Sequence, residues 1–154
     1  MKKIILLILS VFLFSNTVYS DEAKVGLIDE TRILTEYEDS KKAQEQIAKL
    51  RENIQNLLTE LSAELEKTNN NKTLSQAQKD AKQKEAEKKL LTEKEKSEEI
   101  ANTIREKIEG KIQKAIDEEG KAQGLTLILS KEITFFGGKD ITNAVLTRLD
   151  TINK

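Results

Sequence analysis

Apolar positions divide this chain into short dense runs at its ends and a long, sparsely seamed middle. Lys24–Asp29 (Lys-Val-Gly-Leu-Ile-Asp) is short, apolar and β-branched, which predicts a buried strand. Asp29 and Glu30 place acid at the start of a helix, where free N–H groups and the dipole favour it. Ile33, Leu34 and Tyr37 open that helix's apolar face. Ile47, Leu50, Ile54, Leu57, Leu61 and Leu65 then follow in steps of three and four, the spacing of a helix–helix seam.

The seam fades at Lys67, and Glu66–Lys89 holds a single large aliphatic, Leu74. Asn69-Asn70-Asn71 is the credible break, because Asn side chains compete with helical hydrogen bonds and tolerate turn conformations. Ser75 followed by Gln78 predicts a capping box that restarts a helix. That second helix runs from about Gln76 to about Glu119, with an apolar stripe at Leu90, Leu91, Ile100, Ile104, Ile108, Ile112 and Ile116. Gly110 inside it costs about 1 kcal/mol relative to Ala and marks a possible bend. Gly120 and Gly124 stand where the helix should end.

Leu125–Ser130 predicts a second strand and Ile133–Phe136 a third, with Lys131-Glu132 as the turn of a β-hairpin between them. Gly137-Gly138 offers a further turn. Asp140 caps a last short helix with Ile141, Val145, Leu149 and Ile152 on one face. The expected fold class is therefore α+β, mostly α. A long antiparallel helical hairpin of about 60–68 Å stands on a small β-rich body. The division expected is body 21–40 and 120–154, hairpin 41–119, and a loosely packed tip at about 66–89.

Lys2 and Lys3, the apolar run Ile4–Phe14, and the small residues Val18 and Ser20 predict a secretion signal over 1–20, cut before Asp21. The run is shorter than the roughly 20 residues a membrane helix needs. The competing reading is an uncleaved N-terminal anchor. No Cys follows the run, so a lipoprotein anchor is not expected. Without Lys2 and Lys3, 24 basic residues face 27 acidic ones, a net charge of −3. Such a balance disfavours general nucleic-acid binding.

The chain contains no Cys, His, Trp or Pro. An exported protein without Cys must be stabilised by helix packing or assembly rather than by disulfides. Missing His removes the commonest general base and metal ligand. Glu98–Glu99 lies on an exposed helix without the desolvation that tunes a general acid, and Ser130 and Thr134 have no His partner. No Ca-loop spacing is present. No catalytic, cofactor-binding or metal-binding residue is therefore expected, and no cofactor.

Three short strands and one small helix bury too little to hold such a hairpin, since ordering costs on the order of 1.5 kcal/mol per residue. Open sheet edges invite pairing. The expected solution is a closed ring of subunits assembled through Val25, Leu27, Leu125, Leu127, Leu129, Phe135, Ile141, Val145 and Leu149. At the tip, seven Lys face four acids across Glu66–Lys89. Its plain reading is a solvated helix face; the sharper one is contact with acidic partners or anionic lipid.

Taken together, the leader, the strand Lys24-Val-Gly-Leu-Ile-Asp, the charged helical hairpin and the closing run Gly124–Leu149 resemble the Skp (OmpH-like) periplasmic chaperones. Lys139-Asp140-Ile141-Thr142 before a Val-Leu helix is similar to that family's C-terminal signature. The resemblance covers all of 21–154. It implies a homotrimer with three hairpins hanging around a cavity. It also implies an ATP-independent periplasmic holdase that keeps unfolded outer-membrane proteins from aggregating before membrane insertion. The chain's lack of any phosphate-binding Gly-rich loop agrees with this. Its mildly acidic balance departs from strongly basic members, which weakens the carry-over of lipopolysaccharide or anionic-lipid binding and leaves membrane-surface contact weakly supported. No discrete client-contact residue transfers, because the family grips clients through a distributed surface. The alternative is a structural coiled-coil spacer or adaptor of the envelope, which predicts an unbroken seam through Lys67–Lys89. A prefoldin-like cytosolic chaperone shares the architecture but conflicts with the leader.

Overall fold

The computed structural model describes residues 24–152; the expected leader over 1–20 lies outside them. Elements follow in the order β1 (Val25–Ile28), α1 (Glu30–Glu36), α2 (Glu38–Asn70), α3 (Gln76–Ala122), β2 (Leu127–Ser130), β3 (Lys139–Asp140) and α4 (Thr142–Ile152). Two helices of 33 and 47 residues dominate, about 50 and 70 Å at 1.5 Å per residue.

The first helix region is two helices rather than one. Asp29 caps α1 by accepting from the Arg32 N–H at 2.9 Å. Tyr37 then leaves helical geometry (ψ 122°) and begins α2 without a side-chain cap. Its ring is 1% exposed, packed in the body. The buried aromatic thus anchors a joint between body and arm.

At the far end α2 stops at Asn70, and α3 restarts behind Ser75 with both halves of the Ser75/Gln78 capping box present. Between them Asn71 Oδ1 accepts from the Thr73 N–H at 2.8 Å and its hydroxyl at 2.7 Å. Lys79 Nζ donates to the Asn69 carbonyl at 2.6 Å, placing a cation on the free C-terminal carbonyls of α2. Contacts between α2 and α3 run in opposite chain order: Asn69 meets Lys79, Glu64 lies 4.0 Å from Lys82, and Asp39 lies 2.6 Å from Lys111.

The sheet corrects the expected β-hairpin. All three strands are parallel, in the order β2-β1-β3. Val25 pairs with Leu127 and Ile28 with Ser130, while Gly26 and Leu27 pair with Lys139 and Asp140. Lys131–Ile133 is a 3-10 turn, and Ile133–Phe136 is not a strand. The Ser130 hydroxyl accepts from the Glu132 N–H and its carbonyl from the Thr134 hydroxyl, so local side-chain bonds end β2. Gly137 and Gly138, at φ 83° and 93°, then swing the chain over to the other edge of β1. The third strand is Lys139–Asp140, which Ile133–Phe136 merely precedes.

The core lies where sheet, helix roots and α4 converge: Ile28, Ile33, Tyr37, Ala115, Ile116, Ile141, Val145 and Leu149. Close approach explains two glycines there. A Cβ on Gly26 would meet Leu125 Cδ1 at 2.6 Å, and one on Gly120 would meet Ile128 Cδ1 at 2.7 Å.

Candidate functional site

Two surfaces emerge from the residues singled out by the sequence: the seam of the long helices and the apolar surface of the body. Along the seam Leu61 is buried, while Ile47, Leu50, Ile54, Leu57, Leu65, Leu90, Ile104, Ile108 and Ile112 are half-buried. Ile100 departs from this pattern. It is 49% exposed, and the neighbouring Ala101, at 6%, turns inward instead. A row in steps of four drifts by about 40° per step around a 3.6-residue helix. The row therefore begins outside the seam at Ile100, crosses it near Ile108, and reaches the body core at Ile116. Ala43, Ala101 and Ala115 are all buried, small residues whose role an apolar-stripe count of large side chains passes over.

One flank of the paired helices carries an open cleft of about 460 Å³. Its floor is Ile47, Leu50, Ile54 and Ala101, and its rim holds Arg51, Lys94 and Arg105 against Glu98. A smaller cleft of about 220 Å³ nearer the tip is walled by Leu61 and Leu65 and by the charged Glu64, Lys82, Glu85 and Lys89. The helices thus touch along a line and leave gaps beside it, the larger beside Ile47, Leu50 and Ile54 and the smaller toward the tip.

At the arm's root, Asp39 Oδ2 accepts from Lys111 Nζ at 2.6 Å and from the Tyr37 hydroxyl at 3.1 Å. The Lys111 hydrogen bond is the larger cause, and Tyr37 a smaller one, holding the Asp39 carboxyl below its usual range. On the body, Glu119 accepts from Gln123 Nε2 at 2.6 Å and from Arg148 at 2.7 and 2.9 Å, which lowers its proton affinity and ties α4 to α3. Asp140 Oδ1 accepts from the Thr142 hydroxyl at 2.6 Å and its N–H at 2.9 Å, while Oδ2 takes Lys131 at 2.9 Å. These bonds, those of Thr142 first, hold Asp140 well below the ordinary carboxylate range. Thr142 in turn accepts from the Asp29 N–H at 3.0 Å, so caps of two helices share one hydroxyl.

The nine body residues separate by burial. Leu27, Ile141, Val145 and Leu149 are buried within the single chain and present nothing to a neighbour; Val25, Leu125 and Leu129 are half-buried. Leu127 and Phe135 stand exposed at 47% and 104%, joined by Ile133 and Phe136 of the predicted third strand, which add to this surface. Both outer edges of the sheet, on β2 and β3, lack a partner strand among the described residues.

No group of three or more His, Cys, Asp or Glu among the described residues could hold a metal ion. No helix among them is long and apolar enough to cross a membrane.

A β1 strand entering a helical pair, a parallel three-stranded base and a closing helix make a long two-helix arm on a small body. Residues 24–149 match the family described as Outer membrane protein (OmpH-like), and the chain belongs to that family. A solved structure with a similar fold is that of an OmpH-like protein from Caulobacter crescentus CB15, named as a candidate outer membrane chaperone. The two share 17% identity over 84% of this chain and 85% of that one, with a TM-score of 0.52. No curated protein sequence matches this chain.

Proposed function

We propose that this chain is a holdase chaperone of the periplasm that acts without ATP or any other cofactor. Its clients are unfolded outer-membrane proteins, which it keeps from aggregating before they insert. In this reading residues 1–20 are a cleaved export signal, and three copies join through bodies made of 21–40 and 120–154. Antiparallel hairpins, residues 41–119, hang from that base with tips at about 66–89. Membership of the OmpH-like family supports a chaperone rather than an enzyme.

The observation that carries the reading is the division of labour between the two surfaces. The arm leaves an apolar, cation-rimmed cleft open along its flank rather than enclosing a site. The body exposes Leu127, Ile133, Phe135 and Phe136 beside two open sheet edges, a combination suited to pairing with further copies. Precursors of membrane barrels carry alternating apolar strands that pair with one another when exposed. Arms making many weak contacts separate such chains while leaving them unfolded. Release then needs no chemical energy, because the inserted barrel is the deeper well.

The test is aggregation of a urea-diluted outer-membrane barrel protein, followed by light scattering without nucleotide. Substoichiometric protein should suppress it. Unchanged aggregation would leave an envelope spacer as the better account.

A further inference from the structure

The cleft floored by Ile47, Leu50 and Ile54 lies on one flank, and the register of the two helices shows how far that flank extends. Leu58 follows Ile54 by four residues, and Leu91 precedes the cleft residues Lys94 and Glu98 by three and seven. Those spacings put both leucines in line with the cleft on the same side of their helices. They are 42% and 58% exposed, large aliphatics that no neighbour covers. Ile100, equally exposed, precedes Thr103, Ile104 and Lys107, which line a separate cleft on the opposite flank.

We propose that the flank formed by Ile47, Leu50, Ile54, Leu58 and Leu91 is a discrete docking groove for an extended acidic–apolar client segment. This rests on the chaperone reading and gives it a specific site. Leu50, Ile54 and Leu58 climb the groove in steps of about 6 Å. Alternate side chains of an extended strand repeat every 6.6 Å or so. Successive apolar side chains of one strand face can thus seat on successive rungs. The groove's charge fixes the other face. Arg51, Lys94 and Arg105 outnumber Glu98 on the rim, and none of the three cations forms an ion pair among the described residues. All three are exposed to solvent, and cations without an ion-pair partner on the protein favour carboxylates on the ligand. This excess stands out on an acidic chain, so it selects for acidic rather than basic segments.

The test measures binding of a fluorescein-labelled peptide of about ten residues alternating Leu or Val with Glu or Thr. One companion peptide carries Lys for Glu, and another has the same composition in helical order. The acidic alternating peptide should bind best. Leu58→Glu with Leu91→Glu should weaken it about tenfold, while Ile100→Glu changes it less than about twofold. Arg51→Glu with Arg105→Glu should invert the preference between acidic and basic peptides. All substituted positions are exposed or on the rim, and circular dichroism confirms that the helices persist. Equal loss from Ile100→Glu, no charge preference, or tighter binding of the helical peptide would each overturn the proposal. So would binding that vanishes as subunits associate, since a second copy would then fill the groove. Failure of the chaperone reading is separately visible, as a parent protein that does not suppress aggregation. A parent that does, with groove variants equal to it, sinks this inference alone.

Discussion

Asp39 and Lys111 are separated by 71 intervening residues, yet their side chains meet at 2.6 Å, each only about a quarter exposed (26% and 28%). The pair fastens the start of α2 to α3 beside the joint at Tyr37. Removing one partner leaves the other in a half-buried site with only its weaker interactions, such as that of Asp39 with the Tyr37 hydroxyl. Asp39→Asn and Lys111→Met should each cost about 1 kcal/mol at pH 7 in denaturant unfolding at fixed protein concentration. A double-mutant cycle should return a coupling of similar size. The folded carboxyl sits below its usual range because of Lys111 first and Tyr37 second. Its contribution is therefore full above the unfolded pKa of about 3.9 and disappears as pH falls through the lower folded value. An additive cycle at neutral pH would mean that the pair does not hold the root.

Asp140 joins the sheet to the last helix, so its loss should be felt in both. Asp140→Ala removes the acceptor for the Thr142 N–H and hydroxyl and the partner of Lys131. A cost of about 1–2 kcal/mol is expected, as for a helix cap. Asp140→Asn should cost less, because its carbonyl oxygen still accepts. Since the folded carboxyl is held far down by Thr142 and Lys131, the parent should lose stability more steeply than Asp140→Ala as pH falls below about 4. Parallel pH profiles would show that the cap is not formed.

Two glycines should respond oppositely to the same substitution. Gly138 has φ 93°, and an added Cβ would sit 2.8 Å from Leu27 Cγ in the body. Gly138→Ala should destabilise by about 1–3 kcal/mol. Gly110 lies in the interior of α3, with nothing within 4 Å of an added Cβ. Gly110→Ala should stabilise by about 0.5–1 kcal/mol, read from the denaturation midpoint. A loss at Gly110 would show that the arm uses glycine's freedom to bend there.

These contrasts also mark what could be read without coordinates. The tip-side boundaries of the long helices and the end of α3 were legible because their signals are local: Asn69-Asn70-Asn71 breaks, Ser75 and Gln78 cap, and Gly124 adopts φ 63° just beyond α3. The start of α2 at Tyr37 was not, since no local breaker marks it. The partner of each strand was not, since a parallel pairing between Val25 and Leu127 depends on where two distant segments return. Ile133–Phe136 looks like a strand by composition, but Ser130 and Thr134 close a turn that propensity alone does not register. The arm's two flanks were hidden for a similar reason. Ile100 and Leu91 share a stripe with true seam residues when counted along the chain, and only the drift of the helix separates them. Burial within one chain likewise divided Ile141, Val145 and Leu149 from Leu127 and Phe135, which sequence hydrophobicity treats alike.

Phe135 and Phe136 decide how the body is completed. Both rings are essentially fully exposed, at 104% and 98%, and Ile133 beside them is 69% exposed. Three neighbouring large apolar residues in that state are unfavourable for a chain on its own. They precede Gly137-Gly138 and β3, so a subunit adding its β2 edge to that β3 edge would cover them in the same step. On the trimer reading, Phe135→Ser with Phe136→Ser should weaken association at least about tenfold and yield monomer at micromolar concentration in sedimentation. Far-UV helicity should survive, because neither ring belongs to the core around Tyr37 and Ile141. Suppression of barrel-protein aggregation should fall with the oligomer, since separated arms no longer surround one client. If the variant sediments as the parent does, the aromatic pair is not in the interface and assembly must run through the β2 edge and Leu127 instead.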